Sequence, residues 1–451
     1  MTTNEASDLP TLLSKLSACR PLDESDAPAA TAQSALLHTL CAHHLSTSAH
    51  RRQLPPDQLH DIIDAIITCM GTHLTHRDIQ TQCLSALSNL ACDSESTRDH
   101  LVGRGALTLA AEAMRHHPGV VEVQAGAGAL LANCVCAGTA TEIRTRAGQE
   151  LGMGGLMVRA LQDHRGSPSV ARHGCAALGG LAVNDDANCA AIGEGGGLDA
   201  VVDVLGRYGG VGSGRAGAEE TVIVDRALVA LHNLTVACKP NRDRLARRHG
   251  SVATIVTAIR GHEDHERITK HGMGVVRQLV EGYAPCADGC ARCGGAAVLV
   301  RAMECHADHE VIQTHGVALF RRLASTDPRR VELGLAGAVE RTVHAMATLG
   351  RVREMQFQSA AALHNLSIDS EKNGDRAGAA GGIGALLKAM ETFEDDEKWV
   401  DVCCRTLHRL SYVGTNKMRI RREDPTNLLF NISKRYPKSC GRTAKGVLKN
   451  V

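Results

Sequence analysis

The sequence predicts an all-α protein, a single long solenoid of stacked helical repeats. Three observations predict it. A short string recurs through most of the 451 residues at intervals of 43 to 53. Inside each recurrence the apolar residues sit at i, i+3 and i+4, which is one face of a helix. The chain also has 43% apolar residues but only 4 Phe, 4 Tyr and 1 Trp. Several separate globular cores would normally use more aromatics than that. One continuous core of Leu, Ala, Val, Met and Cys needs few. The same poverty disfavours base-stacking platforms for single-stranded nucleic acid.

The recurring string is ALSNLA at residues 86–91, LLANCV at 130–135, ALGGLA at 177–182 and ALHNLT at 230–235. It continues as VVRQLV at 275–280, LFRRLA at 319–324, ALHNLS at 362–367 and TLHRLS at 406–411, with a degenerate LLHTLC at 36–41. Its fourth residue serves as a ruler: Thr39, Asn89, Asn133, Gly180, Asn233, Gln278, Arg322, Asn365 and Arg409. This string lies on the last helix of each unit, one of its two long ones. A second helix precedes it and ends at a register residue such as Met70, Met114, Met303, Met346 or Met390. His73, His117, His164, His262 and His306 follow these ends and are placed to cap the last carbonyls. Asn188, Asn241 and Asn373, eight after the ruler, are placed to cap a short first helix. That helix stops at a Gly pair such as Gly381–Gly382. The N-terminal segment 1–30 reads as a cap helix and a Pro/Asp/Ala linker, and 31–411 as the solenoid. A Gly-rich insertion spans 206–220. Residues 412–451 read as a basic C-terminal cap or tail.

Three-helix units with a Gly turn before the second helix and an ALxNL third helix resemble the armadillo family, over roughly residues 31–411. The AM-x-x-H ending is similar to the armadillo units of leucine-rich-repeat kinases. The resemblance implies a right-handed superhelix whose third helices line a concave groove that binds protein or peptide. It also implies that the third-helix Asn holds the backbone of an extended peptide. That Asn is kept at Asn89, Asn133, Asn233 and Asn365. Elsewhere it is Thr, Gly, Gln or Arg, so the ladder is broken. Importin-type members carry Trp four residues before the ruler; here those positions are mostly small, which disfavours a nuclear-localisation-signal receptor.

Positions seven and eight before the ruler share or flank its helix face. They supply Arg172, His173, Arg226, Lys270, His271 and His315. With Arg322 and Arg409 on the ruler itself, the groove is expected to be polar and mildly basic. Its expected occupant is a protein or peptide segment carrying acidic residues. If the histidines met carboxylates, affinity would fall as pH rises through about 6.5.

Other motifs have plainer accounts. Cys286, Cys290 and Cys293 form C-x3-C-x2-C, a spacing that can begin a zinc or iron–sulfur site. In register, however, Cys286 and Cys290 stand where sister repeats have Asn and an aliphatic core residue. Gly212, Gly214 and Gly217 spell G-x-G-x-x-G without the strand that a dinucleotide site requires. The pairs His262/His265 and His306/His309 fall in a repeating turn. No nucleophile–base–orienter set stands outside the repeat pattern. The expectation is therefore a non-enzyme without cofactor or metal, acting as a monomeric scaffold or adaptor.

Net charge is +1, but the segment from Val413 to Val451 holds ten basic and two acidic residues. That segment supports an alternative: a cargo adaptor whose tail docks nucleic acid or membrane. A more distant alternative is a metal-dependent regulator or enzyme using the three cysteines. The 17 cysteines, with no apparent signal peptide, point to reduced thiols in the cytoplasm, with nuclear or cytoskeletal association also open.

Overall fold

The computed structural model describes residues 9–18, 27–45, 54–92, 94–136, 140–210 and 217–451. Among them are 28 α-helices, one π-helical turn and no strand. The protein is an all-α solenoid of stacked three-helix repeats. It divides into two compact units, residues 1–208 with 217–241, and residues 209–216 with 242–451.

In the first unit, helices Leu9–Ser17, Ala27–His44, Pro56–Thr72 and Arg77–Leu90 precede three complete repeats. The third helices Arg77–Leu90, Val121–Val135, Pro168–Leu181 and Ala218–Val236 pack on one another in sequence. In the second unit, the third helices Glu266–Gly282, Glu310–Leu323, Arg353–Leu366 and Glu397–Leu410 do the same. The core is aliphatic, as the composition requires: Leu87, Leu130, Leu178, Leu231, Leu363 and Leu407 are all buried.

Glycine sets the turn into each second helix. Gly381 is the N-cap of Gly382–Thr392 with φ 89°, a left-handed conformation that costs a side-chain-bearing residue about 1 kcal/mol or more. Gly105, Gly152, Gly250, Gly294 and Gly337 adopt it at the same place.

The register asparagines do something other than cap. Ser94, Asp185 and Ser370 are the N-caps of the short helices, their oxygens accepting from Thr97, Asn188 and Asn373 N–H. Asn188, Asn241 and Asn373 lie inside the helices and are buried. Each Nδ2 group donates twice. One bond goes to its own repeat's third helix, at the carbonyls of Leu181, Leu234 and Leu366. The other goes to the short helix one repeat back, at Arg144, Cys189 and Arg330. Asn416 repeats the pattern on Leu410 and Gly374. At Leu181, Leu234, Leu366 and Leu410 such a side chain satisfies a carbonyl that the helix C-terminus otherwise leaves open, and the second bond ties it to the repeat before. The preceding short helix makes room with glycine: a Cβ on Gly148, Gly193, Gly334 or Gly378 would overlap the Asn amide oxygen.

The histidines depart from expectation in a similar way. Of the five, His262 turns back on its own helix, to Ala258 O at 2.9 Å. His117, His164 and His306 donate through Nε2 to the turn of the preceding repeat, at Leu74, Pro118 and Glu263 carbonyls. Capping of the second helix falls instead to a glutamine nine before the ruler. Gln80, Gln124, Gln313 and Gln356 donate to the carbonyls of Met70, Met114, Met303 and Met346, and to one in the turn beyond.

Two boundaries shift. Helix Ala27–His44 starts inside the expected linker; residues 19–26 of that linker lie outside the described residues. Helices run to Tyr208 and resume at Ala218, so the insertion is narrower than 206–220. Gly212 and Gly214 lie outside the described residues, and Gly217 is a helix N-cap whose N–H donates to Glu220 at 3.0 Å. Residues 412–451, read as a basic cap or tail, are largely helical. They form Gly414–Glu423, Thr426–Arg435 and Gly441–Asn450, the last packing on Glu397–Leu410 as a further third helix. No described helix is long and apolar enough to cross a membrane.

Candidate functional site

The third helices of the first unit line a groove of about 770 Å³. The expected site residues among its lining come from successive repeats: Asn89, then Asn133, then Arg172 with His173, then Arg226; Glu122 lines it as well. Small residues one helical turn before the ruler, such as Ala129 and Ala176, keep the floor low. Five of the expected site residues are thereby brought together.

Two guanidinium groups, Arg172 and Arg226, and one carboxylate, Glu122, line the groove. Arg172 and Arg226 form no ion pair among the described residues. Arg172 donates to His173 Nε2 at 3.1 Å. Burial, reinforced by the two guanidinium groups, pushes the His173 pKa down to about 4. His173 is therefore a neutral acceptor near pH 6.5 and does not titrate there in the free protein. The fall in affinity through pH 6.5 expected of the groove histidines does not extend to His173 while the groove is empty.

This shift has a stability consequence. The unfolded chain protonates His173 near pH 6.5, the folded one near pH 4. Between those values the unfolded state binds more protons, so stability falls as pH falls. Urea unfolding of His173→Gln at pH 6.5, 5 and 4 should show a shallower acid loss than wild type. Parallel losses would refute the assignment.

The Asn residues are partly committed already. Asn133 Nδ2 donates to Ser88 O at 2.8 Å and Cys92 Sγ at 3.0 Å. Asn233 donates to Gly179 O at 3.0 Å and Asn365 to Arg321 O at 2.9 Å. In each case the amide bridges to the third helix of the preceding repeat. The side-chain oxygens are the part left to meet a partner.

In the second unit the expected basic positions are more neutralised. Arg322 and Arg277 share Glu281, at 4.0 and 3.5 Å. Arg277 also bonds His315 Nδ1 at 3.2 Å. Lys270 and His271 lie half-buried on the same helix as Arg277. Arg409 stands 3.6 Å from Asp369. It also lines a cavity of about 460 Å³ with His364, Arg405, His408, Tyr412 and Thr443. Burial and the neighbouring arginines lower the pKa of His364 and His408. Arg277, Arg321, His364 and His408 all stand one before the ruler. Reading only positions on the ruler and seven or eight before it missed that stripe.

The three cysteines do not converge. Cys286 donates to Ala246 O at 3.5 Å, in the slot that Asn occupies elsewhere, and Cys293 donates to Cys290 O at 3.2 Å. Burial raises all three thiols, Cys286 to about 11, which opposes the thiolate a metal needs. Among the described residues no group of three His, Cys, Asp or Glu side chains is placed to hold a metal ion. His265 and His309 instead cap third helices, accepting from Ile268 and Ile312 N–H.

No family model matches the chain, and no curated protein matches it. Among solved structures, an engineered protein from the Northeast Structural Genomics Consortium shares the fold. It is 19% identical, with a TM-score of 0.67, and the match covers 98% of both chains. A chain from a study of a phosphorylation switch controlling the interaction between cadherin and beta-catenin is 14% identical, with a TM-score of 0.48 over 98% of both chains.

Proposed function

We propose that this protein is a non-catalytic, armadillo-type scaffold that holds a partner segment bearing acidic residues in the groove of its first unit. One observation carries the reading. Arg172 and Arg226 line an open groove and form no ion pair among the described residues, beside a single carboxylate, Glu122, two amides and a neutral histidine able to accept a hydrogen bond. An unpaired guanidinium pair gains most from a carboxylate supplied by a partner. The repeat register supports the armadillo assignment, and the many buried, protonated thiols suit a reducing cytoplasm.

The test is affinity capture from the native cell by wild type and by the double variant Arg172→Glu, Arg226→Glu. The captured segment should bind the variant about tenfold to a hundredfold more weakly, with helicity by circular dichroism unchanged. Arg322→Glu is the poorer choice, because Glu281 already shares that guanidinium. Undiminished binding to the double variant would remove the groove from the proposal.

A further inference from the structure

The third-helix face of the second unit holds a cavity of about 460 Å³ beside the closing helix Gly441–Asn450. Six side chains line it: His364, Arg405, His408, Arg409, Tyr412 and Thr443. Each can donate a hydrogen bond, and among the described residues no carboxylate joins them. Helical register explains the convergence. Arg405, His408, Arg409 and Tyr412 stand at i, i+3, i+4 and i+7, one face of Glu397–Leu410 and the turn after it. His364 comes from the same stripe one repeat back, and Thr443 from the closing helix.

The closing helix makes room for this wall. A Cβ on Gly446 would overlap His408 Nε2. That nitrogen shares a hydrogen bond of 3.2 Å with Tyr412 Oη. His364 Nδ1 is buried and has no hydrogen-bond partner, a polar atom that a ligand can satisfy.

We propose that this cavity binds a phosphate monoester, carried by a free small molecule or by a phosphorylated side chain. The site goes beyond the acidic-segment reading, which concerns the first unit alone.

The donor set decides the class. A phosphate monoester presents three terminal oxygens and up to two negative charges, and guanidinium groups meet such an oxyanion bidentately. The hydroxyls of Tyr412 and Thr443 add neutral donors. Burial, then the neighbouring arginines, lower the pKa of both histidines, so each neutral ring keeps one N–H to donate. Arg405 pairs with Asp401 at 3.1 Å and Arg409 with Asp369 at 3.6 Å. Both pairs are partly exposed and neither acid lines the cavity. Exposed pairs of that kind are weak, so a dianion can draw the guanidinium groups inward. The lining has no aliphatic side chain to receive an acyl chain. Ten basic and two acidic residues between Val413 and Val451 surround the site with a field that attracts anions.

Phosphorus NMR titration of the full chain near neutral pH tests the site with three probes: inorganic phosphate, the peptide Ala-Ala-phosphoserine-Ala-Ala and dimethyl phosphate. The first two should bind. The diester, with one charge and two free oxygens, should bind about tenfold more weakly or worse. A peptide tighter than phosphate places the ester on a side chain; phosphate as tight as the peptide places it on a small molecule. Arg405→Gln with Arg409→Gln should weaken the tighter probe about tenfold or more, with helicity by circular dichroism unchanged. Tyr412→Phe, at an exposed ring, should weaken it about threefold. Arg172→Glu with Arg226→Glu should leave it unaltered, which separates this site from the first-unit groove. No binding of phosphate or phosphopeptide, binding that survives the loss of both arginines, or a diester bound as well as a monoester would overturn the proposal.

Discussion

Replacing Gly193 by alanine should destabilise the first unit by about 2–4 kcal/mol, an unusual cost for adding one methyl group. The added Cβ would fall on the amide oxygen of Asn241. Normally a side-chain tip moves aside. Asn241 cannot do so cheaply, because it is fully buried and its Nδ2 donates to Cys189 O at 2.7 Å and Leu234 O at 2.9 Å. Any shift breaks both bonds and leaves the Leu234 carbonyl, in the last turn of its helix, without a donor, at about 1–3 kcal/mol. Asn241→Ala should cost a similar amount by removing the donors outright. Combining Gly193→Ala with Asn241→Ala is the sharper test. With the amide gone, the methyl added at position 193 enters vacated space, so the combined loss should fall short of the sum by about 1–2 kcal/mol. Urea unfolding followed by circular dichroism measures all three. Strict additivity would mean that Gly193 and Asn241 are not one staple.

Trp399→Ala should lower the stability of the second unit by about 3–5 kcal/mol. Trp399 is the sole tryptophan, 1% exposed, with Phe357 and Phe393 ring centroids 6.4 and 5.9 Å away. Its role is more specific than filling space. Sister repeats cap the second helix with a glutamine nine before the ruler, as Gln313 does on Met303 O at 2.7 Å. This repeat has Val400 there. The indole Nε1–H of Trp399, one residue earlier, reaches Ala389 O at 3.1 Å instead. Trp399→Phe keeps most of the packing and removes only the donor, so it should cost about 1–2 kcal/mol. Val400→Gln in the Trp399→Phe background supplies the missing amide. Recovery there, by urea unfolding, would show that the cap rather than the ring size is restored; no recovery would show the reverse.

Much of the fold was legible because its causes are local. A helical face shows in the spacing of ALHNL, and the turn into each second helix shows in the Gly at Gly105 or Gly381, whose left-handed backbone excludes most other residues. The groove was half legible. Arg172, His173 and Arg226 were found from helical register and do lie together. The neutrality of His173 was not legible, since it comes from burial and from Arg226, 53 residues away. Residues 412–451 were legible only as a cap or tail, because their register pattern is worn; that the last helix packs on Glu397–Leu410 needed the tertiary structure.

The sequence by itself determined the period, the helices and the aliphatic character of the core, because these follow from periodicity and backbone conformation within one repeat. Only the tertiary structure decided which polar residues hold the stack and which face outward. Asn188 and Asn373 read as helix caps, and Asn133 and Asn365 as peptide clamps. Each donates through Nδ2 to a carbonyl 43 to 45 residues back. One repeat back along the chain is one helix away in space, and an amide can satisfy a neighbour's carbonyl only once stacking has brought it within reach. Arg172 and Arg226 stand in no ion pair among the described residues, and that is what makes them candidates for function.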